Sequence, residues 1–301
     1  MEYDVIIIGA GPGGLSAALY TARANLKTLV LEGSGVGGQL NYTTDIDNYL
    51  GFLGTGPELS EKMRAQTEKF GAEFSGEKVR EIKDYDKPKK KVITRSNEYI
   101  TKTIIIATGA NPKKLGVVGE EELRGMGVSY CATCDGAFFS DKVATVVGAG
   151  NTAFEDALYL ANFCKEVNIV HRREKFRANA RLVQKVKNSP RINLLTNYVV
   201  EKIQGDNAVK SAVLKHTISG KMSVLDTDCV FVAVGRVPEV TLVREFLELD
   251  DAGYIVTDKN MRTNISGIYA IGDVRNTPLR QIVTACADGA VAANDIVDYL
   301  D

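Results

Sequence analysis

Residues Tyr3–Gly14 read Tyr-Asp-Val-Ile-Ile-Ile-Gly-Ala-Gly-Pro-Gly-Gly. A strand-length apolar run opens onto Gly9-Ala10-Gly11-Pro12-Gly13-Gly14. An Ala-rich helical stretch follows, Leu15 to Ala24, and a second apolar run, Lys27–Leu31, stops at Glu32. Strands this uniformly apolar are buried on both faces, as in a parallel sheet. Each glycine has a physical reason: Gly9 permits the tight turn, Gly11 lets a pyrophosphate approach the backbone, and Gly14 lets helix and strand pack closely. The N-terminus of the helix that follows offers free N–H groups and the positive end of its dipole to phosphates. Glu32 lies 18 positions after Gly14, where a carboxylate accepts hydrogen bonds from an adenosine ribose. The pattern predicts a dinucleotide site.

The design recurs. Lys142–Val147 is a second strand, entering Gly148-Ala149-Gly150-Asn151-Thr152-Ala153. A helix is expected from about Thr152 to Phe163, then a strand over Val167–Val170. That strand ends at His171-Arg172-Arg173, again 18 positions after the third small residue, with Arg177 four residues on. A carboxylate here would repel a ribose 2′-phosphate, whereas guanidinium groups bind it bidentately. The first site therefore suits FAD and the second NADPH rather than NADH; a solvated basic loop is the bland alternative for the arginines. With both bound, hydride would pass from nicotinamide to isoalloxazine.

Other segments are placed around these units. Pro57–Phe70 reads as an amphipathic helix, and Lys78–Tyr85, Lys91–Ser96 and Tyr99–Ala107 as strands. Ala107-Thr108-Gly109 returns the backbone to the first nucleotide. Arg181–Asn188 is helical and Arg191–Leu195 extended. Val199–Ile203 and Val209–His216 form a β-pair, and Val230–Val234 is a buried strand. Gly267–Asp273 is a strand stopping at an acid, followed by a last helix from about Gln281 to Leu300. The expected fold class is α/β: two Rossmann-like, three-layer ββα domains, the second inserted into the first. The boundaries are 1–115 and 239–301 for the FAD domain and 116–238 for the NADPH domain, with crossings near Lys113–Gly116 and Val237–Val240. Asp273 returns to the first site, and the last helix aims its N-terminus at the flavin.

The 301 residues match about two domains. Apolar residues are 45% and charged residues 25%, which excludes a disordered or fibrous chain. Lys+Arg of 37 against Asp+Glu of 38 gives a net charge of −1, too balanced to attract nucleic acid or an anionic membrane. Apolar runs such as Val5–Ile8 and Ile104–Ile106 are too short to span a bilayer. A cytoplasmic setting is expected.

Five cysteines are too few for a disulfide scaffold. Cys164, Cys229 and Cys286 stand alone among apolar neighbours and read as small buried hydrophobes. Cys131-Ala132-Thr133-Cys134 closes a small ring, and in the cytosol such a bond is usually catalytic. The pair cannot complete a tetrahedral zinc site, because His171 and His216, the two histidines, lack ligand spacing from it; no metal is expected. Asp135, next in sequence, is either a proton donor and acceptor in thiol exchange or a turn or N-cap residue.

Taken in order, these motifs resemble the low-molecular-weight, prokaryotic-type thioredoxin reductases over essentially the whole length. The likeness is carried by Gly9-x-Gly11-x-x-Gly14, Gly37-Gly38-Gln39-Leu40, Ala107-Thr108-Gly109-Ala110 and Cys131-Ala-Thr-Cys134-Asp135-Gly136. It continues through Gly148-x-Gly150-Asn151-Thr152-Ala153, His171-Arg172-Arg173 with Arg177, Gly272-Asp273 and Arg280-Gln281. The resemblance implies a homodimer with one FAD per subunit. It places Glu32–Gln39 (Gly33 and Gly38 included), Asn48, Val79 and Asp273–Ile282 (Arg280, Gln281 and Ile282 included) at FAD. It further implies that Cys134 faces the flavin, Cys131 attacks the disulfide of thioredoxin, Asp135 is the acid/base, and the NADPH domain rotates between two orientations. The chain departs from the family pattern at Ala149, Leu50 and Glu239, where Gly, Pro and Asn are frequent. A reductase of another dithiol carrier, glutaredoxin-like or peroxiredoxin-linked, and a flavin-bound redox-sensing protein are the alternatives. A similar peroxide-linked reductase carries an extra N-terminal redox domain, so that role would need a separate partner.

Overall fold

The computed structural model describes residues 1–43 and 46–301. It divides into two compact units, Met1–Asn111 with Val237–Asp301, and Pro112–Arg236. In chain order the first segment carries β1 (Glu2–Ile8), α1 (Pro12–Arg23), β2 (Thr28–Leu31), α2 (Gly56–Lys69), β3 (Glu73–Ser75), β4 (Glu81–Lys83), β5 (Lys90–Ile93), β6 (Glu98–Ile106) and β7 (Ala110–Pro112). Then come β8 (Val128–Ser129), α3 (Ala132–Asp135), β9 (Val143–Val147), α4 (Asn151–Leu160), β10 (Glu166–His171), α5 (Ala180–Asn188) and β11 (Ile192–Thr196). After these follow β12 (Tyr198–Gly205), β13 (Val209–His216), β14 (Met222–Asp226), β15 (Cys229–Val232) and β16 (Arg236–Pro238). The chain closes with β17 (Ile268–Ala270) and α6 (Ile282–Leu300).

In the first unit β3, β2, β1 and β6 run parallel in that order, with Ile8 level with Leu31 and with Ile106. The far edge of β6 is shared. Its residues 104–106 pair with β17 in parallel, and its residues 98–101 pair with antiparallel β5, which carries β4. The four-residue apolar run of β1 follows from burial on both faces. Val5 and Ile7 pack with Leu15, Ala17, Ala18 and Ile296 of α1 and α6; Ile6 and Ile8 pack with Leu29, Leu31, Val79 and Ile82 on the other side. Thr55 and Glu58 close a capping box at the start of α2.

The second unit repeats the plan. Its sheet is all parallel, β11-β10-β9-β15-β8. One face packs Ala144, Val146 and Ile169 on Phe154, Ala157 and Leu160 of α4 and Val186 of α5. The other packs Val147, Val170, Val230 and Val232 on the antiparallel β12-β13-β14. Each unit is thus three layers, helices on a parallel sheet on an antiparallel one, the α/β architecture expected from the sequence.

Some bounds differ from expectation. The chain leaves the first unit after Asn111 and re-enters at Val237, ahead of 115/116 and 238/239, because Leu115 and Gly116 are already held within the second unit by the buried Glu120 carboxylate (2.8 and 2.7 Å). The helix expected to reach Phe163 ends at Leu160, where the last turn tightens: Asn162 N–H donates to Tyr159 O and Phe163 N–H to Leu160 O. The Lys78–Tyr85 run pairs only over Glu81–Lys83, since Asp84, at φ 51°, turns out of the ladder.

Candidate active site

The first glycine loop has the geometry its sequence demands. Gly9 stands at φ +109°, and a Cβ on it would lie 2.4 Å from Ala107 O; a Cβ on Gly14 would lie 2.0 Å from Gly9 O. At Gly11 nothing would meet a Cβ within 4 Å, so the space above the N-cap of α1 is open. Gly9 N–H donates to Leu31 O (2.9 Å), which brings the end of β2 beside the loop. There Glu32 accepts from Ala10 N–H through Oε2 (2.9 Å) and from Ser34 N–H through Oε1 (2.7 Å). Each carboxylate oxygen keeps a further lone pair for a ribose hydroxyl.

Other predicted residues gather at this loop. Gly37 N–H donates to Ala10 O (2.8 Å), and a Cβ on Gly38 would sit 3.4 Å from Gly11 Cα. A Cβ on Gly33 would strike Lys78 at 2.5 Å. Gln39 donates to Asn111 Oδ1 at 3.4 Å. Ala107 N–H donates to Ile8 O, Thr108 Oγ1 to Glu239 O (2.6 Å), and Gly109 O accepts from Glu239 N–H. Helix α6 arrives alongside α1: a Cβ on Gly13 would meet Ala285 O at 3.1 Å, and one on Gly289 would meet Gly13 O at 2.5 Å and Ala17 N at 2.8 Å. The two helices therefore run parallel with their N-termini side by side. Gln281 caps α6 in a reciprocal pair with Thr284, and its Oε1 accepts from Asn48 Nδ2 (3.3 Å). Ile282 opens α6 and packs against Leu40, Ile46 and Leu59. Asp273 sits just after β17, its carbonyl accepting from Arg280 Nε (3.4 Å), and the Arg280 guanidinium lies 4.0 Å from the centroid of Tyr254. Asp288 accepts from Gly272 N–H and Arg275; burial pushes its carboxyl up against the lowering effect of that arginine. Val79 is the outlier: its side chain is packed in the core beneath the sheet, which leaves its backbone as the part able to meet a nucleotide.

The second loop copies the first. Gly148, at φ +142°, donates to Val170 O (3.1 Å), and a Cβ there would strike Ala233 O at 2.3 Å. Gly150 is open as Gly11 is. Ala149 O accepts from Arg177 N–H (3.0 Å), so the backbone of the arginine segment lies on this loop. Asn151 Oδ1 accepts from Asn179 N–H (2.9 Å), and Thr152 is exposed. His171 is half-buried, with Nε2 3.1 Å from Lys175 O; burial, then Arg172, Arg173 and Arg177, hold its pKa down. Those three arginines are exposed, and no carboxylate lies within ion-pair distance of them among the described residues. Open glycine cradles closed by a carboxylate and by free guanidinium groups fit FAD and NADPH respectively.

Cys131 and Cys134 form a disulfide, Cα–Cα 5.3 Å, at the short helix α3 in the second unit. Ala132 anchors that helix in the core, and a Cβ on Gly136 would press Leu160 of α4 at 2.9 Å. Both cysteines and Asp135 are half-buried. The Asp135 side chain does not cap the turn that follows; its Oδ2 accepts from Ser129 Oγ at 2.5 Å. Ser129 and Glu120, the latter accepting from Tyr130 OH at 2.9 Å, are site neighbours that sequence reasoning passed over. Ser129 stands in a two-residue strand without periodicity, and only the Ser-x-Cys spacing marked it. Cys164 and Cys229 are buried, with their thiol pKa values raised by burial, Cys164 to about 11. Among the described residues no group of three or more His, Cys, Asp or Glu could hold a metal, and no helix is long and apolar enough to cross a membrane.

The profile of the pyridine nucleotide-disulphide oxidoreductase family matches residues 3–289. Thioredoxin reductase of Listeria monocytogenes is 48% identical over 304 residues, spanning 99% of this chain and 94% of its own. That of Peptoclostridium acidaminophilum is 46% identical over 307 residues, spanning 99% and 97%. The chain belongs to the thioredoxin reductase family. The crystal structure of thioredoxin reductase from Streptococcus pyogenes MGAS5005 matches it at a TM-score of 0.94 and 44% identity, over 99% of this chain and 98% of that one. Thioredoxin reductases of this family use FAD and NADPH, the two groups for which the paired loops are shaped.

Proposed function

We propose that this chain is an NADPH-dependent thioredoxin-disulfide reductase. The observation that carries the reading is a lone Cys131–Cys134 disulfide in the same unit as a glycine loop bordered by three exposed arginines, in a chain whose other unit carries an acid-bordered loop. Gly9, Gly11, Pro12 and Gly14, with Glu32, Gly33, Gly38, Gln39, Asn48, Val79, Ala107, Thr108, Gly109, Asp273, Arg280, Gln281 and Ile282, would hold FAD. Gly148, Gly150, Asn151, Thr152, His171, Arg172, Arg173 and Arg177 would hold NADPH. FAD, when bound, accepts an electron pair from NADPH and passes it to a disulfide.

The chain's own residues perform the exchange with thioredoxin. In the dithiol form the Cys131 thiolate attacks one sulfur of the thioredoxin disulfide; the displaced thiolate takes a proton from solvent. Cys134 gives its proton to Asp135 and attacks the Cys131 sulfur, re-forming the internal disulfide. The second thioredoxin thiolate leaves and takes that proton from Asp135. Two electrons and two protons end on thioredoxin. Family likeness further supports a homodimer in the cytoplasm, measurable as solution mass and by fractionation.

Anaerobic titration tests the reading. The yellow protein should bleach with NADPH, far less readily with NADH, and recover its colour with oxidised thioredoxin. Cys134→Ser should bleach without passing electrons on. A wild-type chain that bleaches yet leaves thioredoxin oxidised, while reducing a glutaredoxin-like carrier, would overturn the substrate assignment.

A further inference from the structure

Ser129, a residue 5% exposed, ends β8, and its hydroxyl stands between the redox pair and the acid/base. Cys131 N–H donates to Ser129 Oγ at 3.1 Å. The same Oγ lies 2.5 Å from Asp135 Oδ2 and 3.4 Å from Cys131 O. A hydroxyl has one proton to donate. Cys131 O already accepts from Asp135 N–H at 3.1 Å and Cys134 N–H at 3.3 Å, so both its lone pairs are engaged. The Ser129 proton therefore goes to the carboxylate, in a short, charge-assisted bond. Cys131 fixes Ser129 through its amide, and Ser129 fixes Asp135 through its hydroxyl. The backbone of the attacking cysteine and the carboxylate that must reach the thiol of the other are tied to one buried atom.

We propose that Ser129 is a positioning residue for thiol–disulfide exchange, holding the Asp135 carboxylate in place to take up and return the Cys134 proton. The proposal rests on Cys131, Cys134 and Asp135 acting as described above. Ser129 itself touches no substrate. When Asp135 carries the proton, the acid can donate to Ser129 Oγ, and the serine proton is left with only Cys131 O, at 3.4 Å and already accepting two bonds. That alternative is poorer, which favours return of the proton to the departing thiolate. A general acid or base works only within hydrogen-bond reach of its proton, and an ångström of misplacement is costly.

The measurement is the single-turnover rate at which the pre-reduced holoenzyme reduces oxidised thioredoxin, followed to saturation, for wild type, Ser129→Ala, Asp135→Asn and the double variant. Flavin content per chain reports folding. Ser129→Ala should slow the saturating rate about tenfold, leave the half-saturating thioredoxin concentration within about twofold, and add little to the loss in Asp135→Asn, since residues acting as a unit are non-additive. Ser129→Thr keeps the hydroxyl and should stay within about threefold of wild type. Losses that multiply in full in the double variant overturn the proposal, as does a flavin-loaded Ser129→Thr as slow as Asp135→Asn. A wild-type chain inert toward thioredoxin would instead defeat the functional reading itself, so the two failures are distinct.

Discussion

The two glycine loops are near copies in backbone and opposites in charge. Gly9 and Gly148 both take positive φ, both donate to the strand that ends at the selectivity residue, and both would drive a Cβ into a backbone carbonyl of a third strand's exit, at 2.4 and 2.3 Å. Gly11 and Gly150 are both open. Two of their differences bear on packing and on charge. The third small residue is Gly14 in one and Ala153 in the other, and the closing residue is Glu32 in one and Arg172-Arg173 in the other. The two loops thus share their shape, while charge at one strand end separates them, which on the proposed reading is what tells NADPH from FAD.

The largest effect should expose the first difference. Gly14→Ala places a methyl 2.0 Å from Gly9 O, an atom of the backbone that cannot step aside. It should cost about 3 kcal/mol and strip the flavin. Ala153→Gly, the reverse change in the other loop, should cost only about 1 kcal/mol through helix propensity. Melting temperature and flavin absorbance measure both; equal costs would break the comparison.

Charge comes next. Replacing Arg172 and Arg173 together with Ala should raise the KM for NADPH about 100-fold and leave that for NADH almost unchanged. A matching rise for NADH would mean the guanidinium groups do not read the 2′-phosphate.

The units also differ in their response to acid. Burial, then Glu155, pushes the Asp156 carboxyl on α4 up to about 7, against the lowering effect of Arg236. Its folded pKa exceeds the unfolded value of 3.8, so the native state binds the extra proton, and its contribution falls as pH rises from about 4 to about 7. Asp156→Asn should remove that slope and stabilise the protein at pH 8 by ~2 kcal/mol, after discounting for partial exposure. In the first unit the sign is opposite. Asp295 lies below 3.8: burial raises it, but bonds from Arg262 (2.6 Å), Tyr269 (2.8 Å) and Asn260 (2.9 Å) prevail. Its stabilisation is intact above 3.8 and lost as pH falls through the depressed value. Melting curves with and without Asp156→Asn separate the two: the step from pH 8 to pH 5 reads Asp156, and the step from pH 5 to below pH 3.8 reads Asp295.

The smallest effect sharpens what is shared. Gly11→Ala and Gly150→Ala meet nothing within 4 Å, so stability should stay within about 0.5 kcal/mol. Each should weaken only its own nucleotide, about tenfold, by occupying the space a pyrophosphate needs. Isothermal titration with each nucleotide reads this directly.

Much of the fold was legible because its signals are local. A glycine forced to positive φ, an apolar run buried on both faces, a charge at a strand end and two cysteines three apart leave their mark in adjacent residues. The order of strands left weaker marks. β7, β8 and β16 are two or three residues long, too short for alternation to show. Nothing in the sequence says that one edge of β6 serves both β17, from the far end of the chain, and antiparallel β5.

By itself, then, the sequence determined two nucleotide-shaped loops, their opposite charges and a redox pair, because each depends on backbone conformation or chemistry within a few residues. Tertiary structure alone decided that Gly13 and Gly289 let α1 and α6 lie close enough to bring their N-termini together, and that the Ser129 hydroxyl falls to Asp135 rather than to solvent. Those pairings depend on how closely separate elements pack, which steric fit in the core fixes and no single segment encodes.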